Sequence, residues 1–328
     1  MPLKNVLHPN RYHGFIAQAP FFEGWYYKLV SSDERHRFAI IPGVYLAPDQ
    51  NESHGFVQVF DSQADQVRFH RFPIDSFKPS PDAFEIVLGQ NYFSEKRIEL
   101  AIDDDLGQIK GSLQFGRLSP WPVRFFSPGA MGWFAWIPFM ECYHGVVSMD
   151  HTIQGRLVLD GEKKDFSGGR GYIEKDWGKH FPSAWIWGQS NHFKENGISL
   201  MVSVAVVPWL GRSFAGFIIG FLFEGEIHRF ATYNRSKIEH IDMDDNTVSL
   251  VVRNTTCRLR IKAKRAEGGL LQAPTQIAMD RRILETLIAE FEVQLEALDG
   301  RVLYHGMGRH GGLETVGDLA QLLEMIKE

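Results

Sequence analysis

Two stretches of the chain pass through the same series of steps, and this repetition limits the fold more than any other feature. Trp25-Tyr26-Tyr27 is followed by Gly55-Phe56-Val57, His70-Arg71-Phe72, Phe77 and Phe84-Glu85-Ile86-Val87. Trp185-Ile186-Trp187 is followed by Gly216-Phe217-Ile218, His228-Arg229-Phe230, Ile241 and Val248-Ser249-Leu250-Val251, at nearly the same gaps. The steps read as strands. Apolar residues alternate at period two through His54–Phe60, Phe84–Leu88, Arg97–Ile102 and Arg258–Ala263, and Asp160-Gly161 and Asp299-Gly300 are hairpin dipeptides. Helical spacing is confined to Leu313–Lys327, where Leu319, Leu322, Leu323 and Ile326 form a stripe, and to a short candidate at Asp280–Leu287. The chain is therefore expected to be mainly β, with two related barrel- or sandwich-like domains (1–170 and 171–328) and a C-terminal helix. An aromatic insert, 116–140, belongs to the first domain and does not read as a regular element.

The composition narrows the function. With 328 residues there is room for two cores, and 25 Phe among 13% aromatics suit strands and apolar cavities. A net charge of −5 excludes a basic nucleic-acid footprint. The two cysteines, Cys142 and Cys257, lack metal-ligand or disulfide-framework spacing. Met1–Leu7 does not read as a secretory leader, and the apolar run near Phe214–Phe223 is too short to span a bilayer as a helix. A cytoplasmic location is expected.

Nucleotide-binding glycine loops, the GxSxG elbow and HExxH are all missing. What stands out is 171–193, GYIEKDWGKHFPSAWIWGQSNHF. On a strand, Tyr172, Glu174 and Asp176 would share one face, and Ile173, Lys175 and Trp177 the other. Trp185, Trp187, Gln189 and Asn191 would likewise share a face, an inward wall of aromatic rings with amide tips. Two carboxylates beside an apolar wall would have raised pKa values, which suits a proton donor. The alternative is structural: Glu174 and Asp176 as strand-end charges paired with Lys175, Lys179 or Arg170, and the tryptophans as ordinary core.

Two further clusters and an exposed lip complete the reading. His144 and His151 flank a strand-like run with Asp150, a spacing that does not diagnose a metal site. In Phe21–Lys28, Trp25 and Tyr27 would line the interior of the first domain. Trp133, Phe134, Trp136 and Phe139 could form an apolar lip that touches a membrane surface, or a plug between domains.

The blocks FFEGWYYK, FAWIPFMECYHGVVSMDH, EKDWGKHFPSAWIWGQSNHF and GRHGGLE, spread from Phe21 to Gly312, resemble the tocopherol cyclase family. The resemblance implies tandem lipocalin-like (calycin) β-barrel domains, as in the distantly related carotenoid hydratases. It also implies chemistry that begins with protonation of an isoprenoid double bond. Against the hydratase pattern Tyr-x-Asp-x-Asn-Trp-Gly, Tyr172 and Trp177-Gly178 match, Glu174 stands for the Asp and Asp176 for the Asn. The expected enzyme is a cyclase or hydratase of a hydrophobic prenylated molecule that needs no metal or redox cofactor. Glu174 would be the acid, with Asp176 beside it and His144 positioning a proton. Trp177, Trp185 and Trp187 would stabilise the cation, and Tyr172, Gln189 and Asn191 would orient the polar head, with Trp25 and Tyr27 also lining the substrate pocket. The alternative is a binding protein with the same aromatic cavity and no chemistry.

Overall fold

The alternating segments form antiparallel strand pairs because only a sheet puts every second apolar side chain on one side. The computed structural model describes residues 3–327. In chain order, a short helix α1 (Leu3–Val6) precedes β1 (Phe21–Val30), β2 (Arg37–Leu46), β3 (His54–Asp61), β4 (Gln66–Pro73), β5 (Phe77–Pro79), β6 (Glu85–Leu88), β7 (Asn91–Ser94), β8 (Arg97–Asp104), β9 (Gly107–Phe115), β10 (Cys142–Leu159), β11 (Glu162–Asp165) and β12 (Arg170–Gly178). There follow β13 (Trp185–Ser190), β14 (Ser199–Trp209), β15 (Arg212–Phe223), β16 (Glu226–Ala231), β17 (Lys237–Met243), β18 (Thr247–Arg253), β19 (Cys257–Lys264), β20 (Gly269–Ala273), β21 (Arg281–Ala297), β22 (Val302–Val316) and α2 (Leu319–Lys327).

The first sheet runs β4-β3-β2-β1-β12-β10-β9-β8-β7-β6-β5, and the second runs β16-β15-β14-β13-β22-β21-β19-β18-β17. The orders superpose strand for strand, so that β1 corresponds to β13, β12 to β22 and β10 to β21. The repeat in the sequence is therefore a duplicated sheet. Its first three steps fall on equivalent strands. Its last two do not, because the first sheet carries two additional short edge strands, β5 and β6.

The chain divides into one unit of Met1–Phe181 with Leu270–Arg282 and another of Pro182–Gly269 with Ile283–Glu328. A division at 170/171 would have put β12 in the second domain. Instead β12 lies in the middle of the first sheet, between β1 and β10, because the turn after β11 returns it into that sheet. The short helix expected at Asp280–Leu287 is the start of β21. Ile283 is buried and Leu284 exposed there, and after an irregular stretch at Glu285–Leu287 the alternation resumes along the strand. The C-terminal helix exists but is shorter than its periodicity, since Leu313–Val316 still belong to β22. Asp318 caps α2 by accepting from the Gln321 N–H (3.0 Å), and Leu322 is buried in the core of the second unit.

Candidate active site

β12 has two chemically different faces. Lys175 and Trp177 point into the first unit. The Lys175 ammonium donates to Glu23 Oε1 and to the Arg11 carbonyl, and lies 4.5 Å from the Trp177 ring centre and 4.7 Å from that of Trp25. Glu23 also receives the His13 backbone N–H, at 2.8 Å to Oε2. Trp177 is stacked between His13 (4.3 Å) and Tyr143 (5.4 Å). This buried cluster ties the N-terminal segment to β1 and β12. Gly178 ends the face at φ 150°, where a Cβ would lie 2.2 Å from the Glu141 carbonyl oxygen.

The opposite face carries Tyr172, Glu174 and Asp176, as alternation requires. The Tyr172 hydroxyl donates to Glu174 Oε2 at 2.5 Å. On β10, in register with Asp176, His144 places Nδ1 2.9 Å from Asp176 Oδ1 and Nε2 3.6 Å from Glu174 Oε2. The four side chains thus form one chain of polar contacts in the order Tyr172, Glu174, His144, Asp176. The Glu174 side chain is only 5% exposed and that of Asp176 is 26% exposed, so the Tyr172–Glu174 end of the chain lies on the drier side. Burial opposes charge on His144, but the Asp176 and Glu174 carboxylates outweigh it and raise its pKa to about 9. The imidazole is therefore a cation at neutral pH. Burial first, and then the charge of Glu174, pushes the Tyr172 phenol well above its ordinary value, so it acts as a hydrogen-bond donor. One ligand atom each from His144, Glu174 and Asp176 lies within 4.8 Å of the others, a set that could hold a divalent cation.

The register adds two residues that alternation within β12 could not reveal. Tyr26 pairs with Glu174, and Lys28 pairs with Tyr172. Cross-strand partners point the same way, so a buried aromatic ring and a fully buried lysine stand on the face of the acid. In FFEGWYYK the eye goes to Trp25 and Tyr27, and only the pairing of β1 with β12 reveals the other face.

The remaining candidates fall elsewhere. Trp25 and Tyr27 are fully buried in the first unit, Trp25 stacked on Phe84 (5.5 Å) and Tyr27 on Phe115 (5.7 Å). With Trp177 they pack the interior, on the far side of β1 and β12 from Glu174. Trp177, held between two rings with an ammonium over it, is not placed to meet a cation forming at Glu174. Trp185, Trp187 and Gln189 lie on β13 in the second unit and share a face, but that face does not point into the core. Ile186 belongs to the core cluster, and a Cβ on Gly188 would meet Phe291 and Leu313. Asn191 lies just beyond the strand, its Oδ1 3.1 Å from His192 Nδ1. His151 is not part of that set: burial and then Arg170 lower its pKa to about 3, so it is neutral, and its Nδ1 faces Ser148 Oγ at 3.1 Å. Asp150 pairs with Arg170 at 2.7 Å.

Four rings of the aromatic insert are exposed, while Trp121 is buried. Phe126 is 84% exposed, Phe125 61%, Phe139 53% and Trp133 42%. The Trp136 indole N–H donates to the Phe125 carbonyl (3.0 Å) and braces this lip. No helix among the described residues is long and apolar enough to cross a membrane.

The profile of the tocopherol cyclase-like family matches residues 115–317, which include His144, Tyr172, Glu174, Asp176 and the second sheet. The chain belongs to that family. It is 30% identical over 151 residues to the chloroplastic tocopherol cyclase of Zea mays, covering 44% of this chain and 31% of that protein. It is 31% identical over 108 residues to a probable chloroplastic tocopherol cyclase of Oryza sativa subsp. japonica, covering 31% of this chain and 23% of that one. The match thus spans about a third or less of these relatives. Among solved structures, CghA with Sch210972 superposes with a TM-score of 0.56 at 13% identity, over 91% of this chain and 89% of that one. Kievitone hydratase from Nectria haematococca gives 0.50 at 11% identity, over 90% and 89%. At such identities the likeness shows the fold alone: two lipocalin-like β-domains in tandem, as the family resemblance implies.

Proposed function

We propose that this tocopherol cyclase-like protein protonates a carbon–carbon double bond in an apolar, prenylated molecule. The carbocation is then captured by a phenol oxygen of the same molecule, closing a ring, or by water. The observation that carries this reading is the run Tyr172–Glu174–His144–Asp176 on one largely buried face, hydrogen-bonded at both ends and joined in the middle by the 3.6 Å contact of His144 Nε2 with Glu174 Oε2. The His144 imidazolium hands its Nε2 proton to Glu174, which delivers it to the alkene carbon. The Tyr172 hydroxyl stabilises the carboxylate left behind. The proton lost by the capturing phenol or water returns to the His144–Glu174 pair, so the cycle closes without a redox change. Tyr26, opposite Glu174, supplies the ring face for the cation in place of Trp177. Membership of the family supports the reaction class, and the hydratase among the structural neighbours keeps water in play as the capturing group. The exposed lip around Phe126 serves as the surface through which the protein meets an apolar phase holding its substrate.

The test is incubation of wild type and Glu174→Gln with a panel of prenylated hydroquinones, followed by mass spectrometry. Wild type is expected to give an isomer of equal mass or a product heavier by one water, and Glu174→Gln to give neither while still binding. Equal turnover by both proteins overturns the role of Glu174. Binding by both without product from either favours a carrier.

A further inference from the structure

The second unit holds polar groups that the chemistry at Glu174 does not use. Gln189 is fully buried, and among the described residues neither its amide nitrogen nor its amide oxygen has a hydrogen-bond partner. Ser199, also fully buried, has an unpartnered hydroxyl. Buried polar groups in folded chains are nearly always satisfied, so two orphans on one patch require an explanation. They do share a patch. On β14, Leu200 and Val202 pack into the core of the unit, so Ser199 and Met201 face away from it, as Gln189 does. Gln189 pairs with Met201, which makes Ser199 its diagonal neighbour on that face.

The other flank is formed by the block GRHGGLE, which the acid chemistry leaves unexplained. Gln189 pairs there with Gly312, which has no side chain, and Trp187 pairs with Glu314. Glu314 is thus the diagonal neighbour of Gln189, and its Oε2 is fixed by the Trp185 indole N–H at 2.6 Å. Gly311, on the core side, is needed for packing, since a Cβ there would lie 2.3 Å from the Phe291 ring. The two glycines therefore have separate tasks: Gly311 admits Phe291 and Gly312 puts no side chain beside Gln189.

We infer that Gln189, Ser199 and Glu314, on the face that carries the Trp185 and Trp187 indoles, form a binding site of the second unit for a neutral, hydroxyl-bearing apolar molecule. A carboxylate only accepts, so the ligand must donate to Glu314, and an anion is repelled. The amide and the serine hydroxyl each donate and accept, which suits a hydroxyl or carbonyl beside a flat apolar body. None of these groups belongs to the Tyr172–Glu174–His144–Asp176 set.

The probes are 2-naphthol, naphthalene and 2-naphthoate, titrated into the full chain by calorimetry. Wild type is expected to bind 2-naphthol at least tenfold more tightly than 2-naphthoate. Gln189→Leu is expected to weaken 2-naphthol at least tenfold and leave naphthalene unchanged. Glu314→Gln is expected to bring 2-naphthoate to within threefold of 2-naphthol. Glu174→Gln, measured in parallel, is expected to bind 2-naphthol as wild type does, which separates this site from the acid. Thermal melts of the unliganded proteins give a second reading. An apolar side chain of similar size in place of an orphan amide leaves the melting temperature unchanged or raises it. Undiminished 2-naphthol binding by Gln189→Leu, unchanged anion discrimination in Glu314→Gln, or loss of 2-naphthol by Glu174→Gln each overturns the inference. So does a Gln189→Leu protein that melts several degrees lower, since the amide would then have a partner.

Discussion

Replacing Glu23 with Gln leaves the Lys175 ammonium in the interior without its counter-charge. Both side chains are fully buried, and burial opposes charge on each. The two respond unequally. For Glu23, burial is outweighed by Lys175 and His13, and its pKa lies below the ordinary value. For Lys175, burial outweighs Glu23, and its pKa falls from 10.5 to about 8. The carboxylate gains more because the His13 ring adds its own hydrogen bond and charge to those of Lys175. Removing one member of such a pair costs about 3–5 kcal/mol. At roughly 2–4 °C per kcal/mol for a unit of 150–250 residues, the first unit should melt about 6–20 °C lower.

The pH dependence gives the same argument a sign. A lysine whose folded pKa lies below its unfolded value binds fewer protons when folded, so stability rises with pH between the two values. In wild type that window runs from about 8 to 10.5. In Glu23→Gln both raising influences of the carboxylate are gone, the folded pKa falls further, and the window extends to neutral pH. The variant should therefore gain stability from pH 7 to 8 by more than wild type does over the same interval. The double variant Glu23→Gln/Lys175→Met removes both charges and should regain most of the loss, with a coupling of about 3 kcal/mol. Urea unfolding followed by tryptophan fluorescence is the assay, since Trp25 and Trp177 flank the ammonium. A loss below about 1 kcal/mol for the single variant, or a double variant as unstable as the two singles combined, refutes the reasoning.

Four shorter expectations follow from the site and its surroundings. Tyr172→Phe removes a hydrogen bond to a charged acceptor, worth about 1.5–3 kcal/mol, so kcat/KM for product formation should fall roughly 10- to 150-fold with the fold intact by circular dichroism. His144 is raised from 6.5 to about 9, so its stabilisation is complete below pH 6.5 and lost as the pH passes 9; the stability difference between wild type and His144→Gln should therefore shrink by about 3 kcal/mol across that window. Turnover should survive exhaustive chelation; activity lost to a chelator and restored by a divalent ion would instead make His144, Glu174 and Asp176 metal ligands. In liposome flotation, Phe125→Ser/Phe126→Ser should float less than wild type, and equal flotation would remove the lip from the proposal.

The local grammar of strands was legible, and so were the duplication and the facing of Tyr172, Glu174 and Asp176, because period-two alternation needs only neighbouring residues. Pairing was not legible. β12 belongs to the first sheet through partners more than a hundred residues away in β1, and no local pattern reports that. The same gap hid Tyr26 and Lys28, whereas alternation already set Trp177 on the face opposite Glu174 and its expected part in stabilising the cation conflicted with that facing. It also obscured the second sheet. Trp25 and Trp185 occupy matching steps of the repeat, but Trp25 packs inside its unit while Ile186, not Trp185, fills the core of the other. A one-residue shift of facing reverses every side chain and leaves the composition of the step unchanged. Asp280–Leu287 failed for a related reason, since a few apolar residues fit either period until the strand partner decides.

The alternation along β12 also explains why Glu-Lys-Asp-Trp-Gly combines catalytic-looking and structural residue types. Glu174 and Asp176 face the histidine of β10, while Lys175 and Trp177 hold Glu23 and His13 on the opposite side. Adjacent positions are therefore constrained by different physics. Changes at 174 and 176 should affect turnover and the pH profile, and cost stability through the His144 contacts they remove, whereas changes at 175 and 177 should act directly on stability alone. The two faces are still mechanically joined, because a strand cannot shift one face without the other. The buried Lys175–Glu23 pair fixes β12 against β1 through the N-terminal segment, and that register is what sets Tyr26 opposite Glu174. A Lys175→Met protein rescued by Glu23→Gln should thus recover activity together with stability. If stability returned and turnover did not, Lys175 would have a part in the chemistry beyond holding the strand.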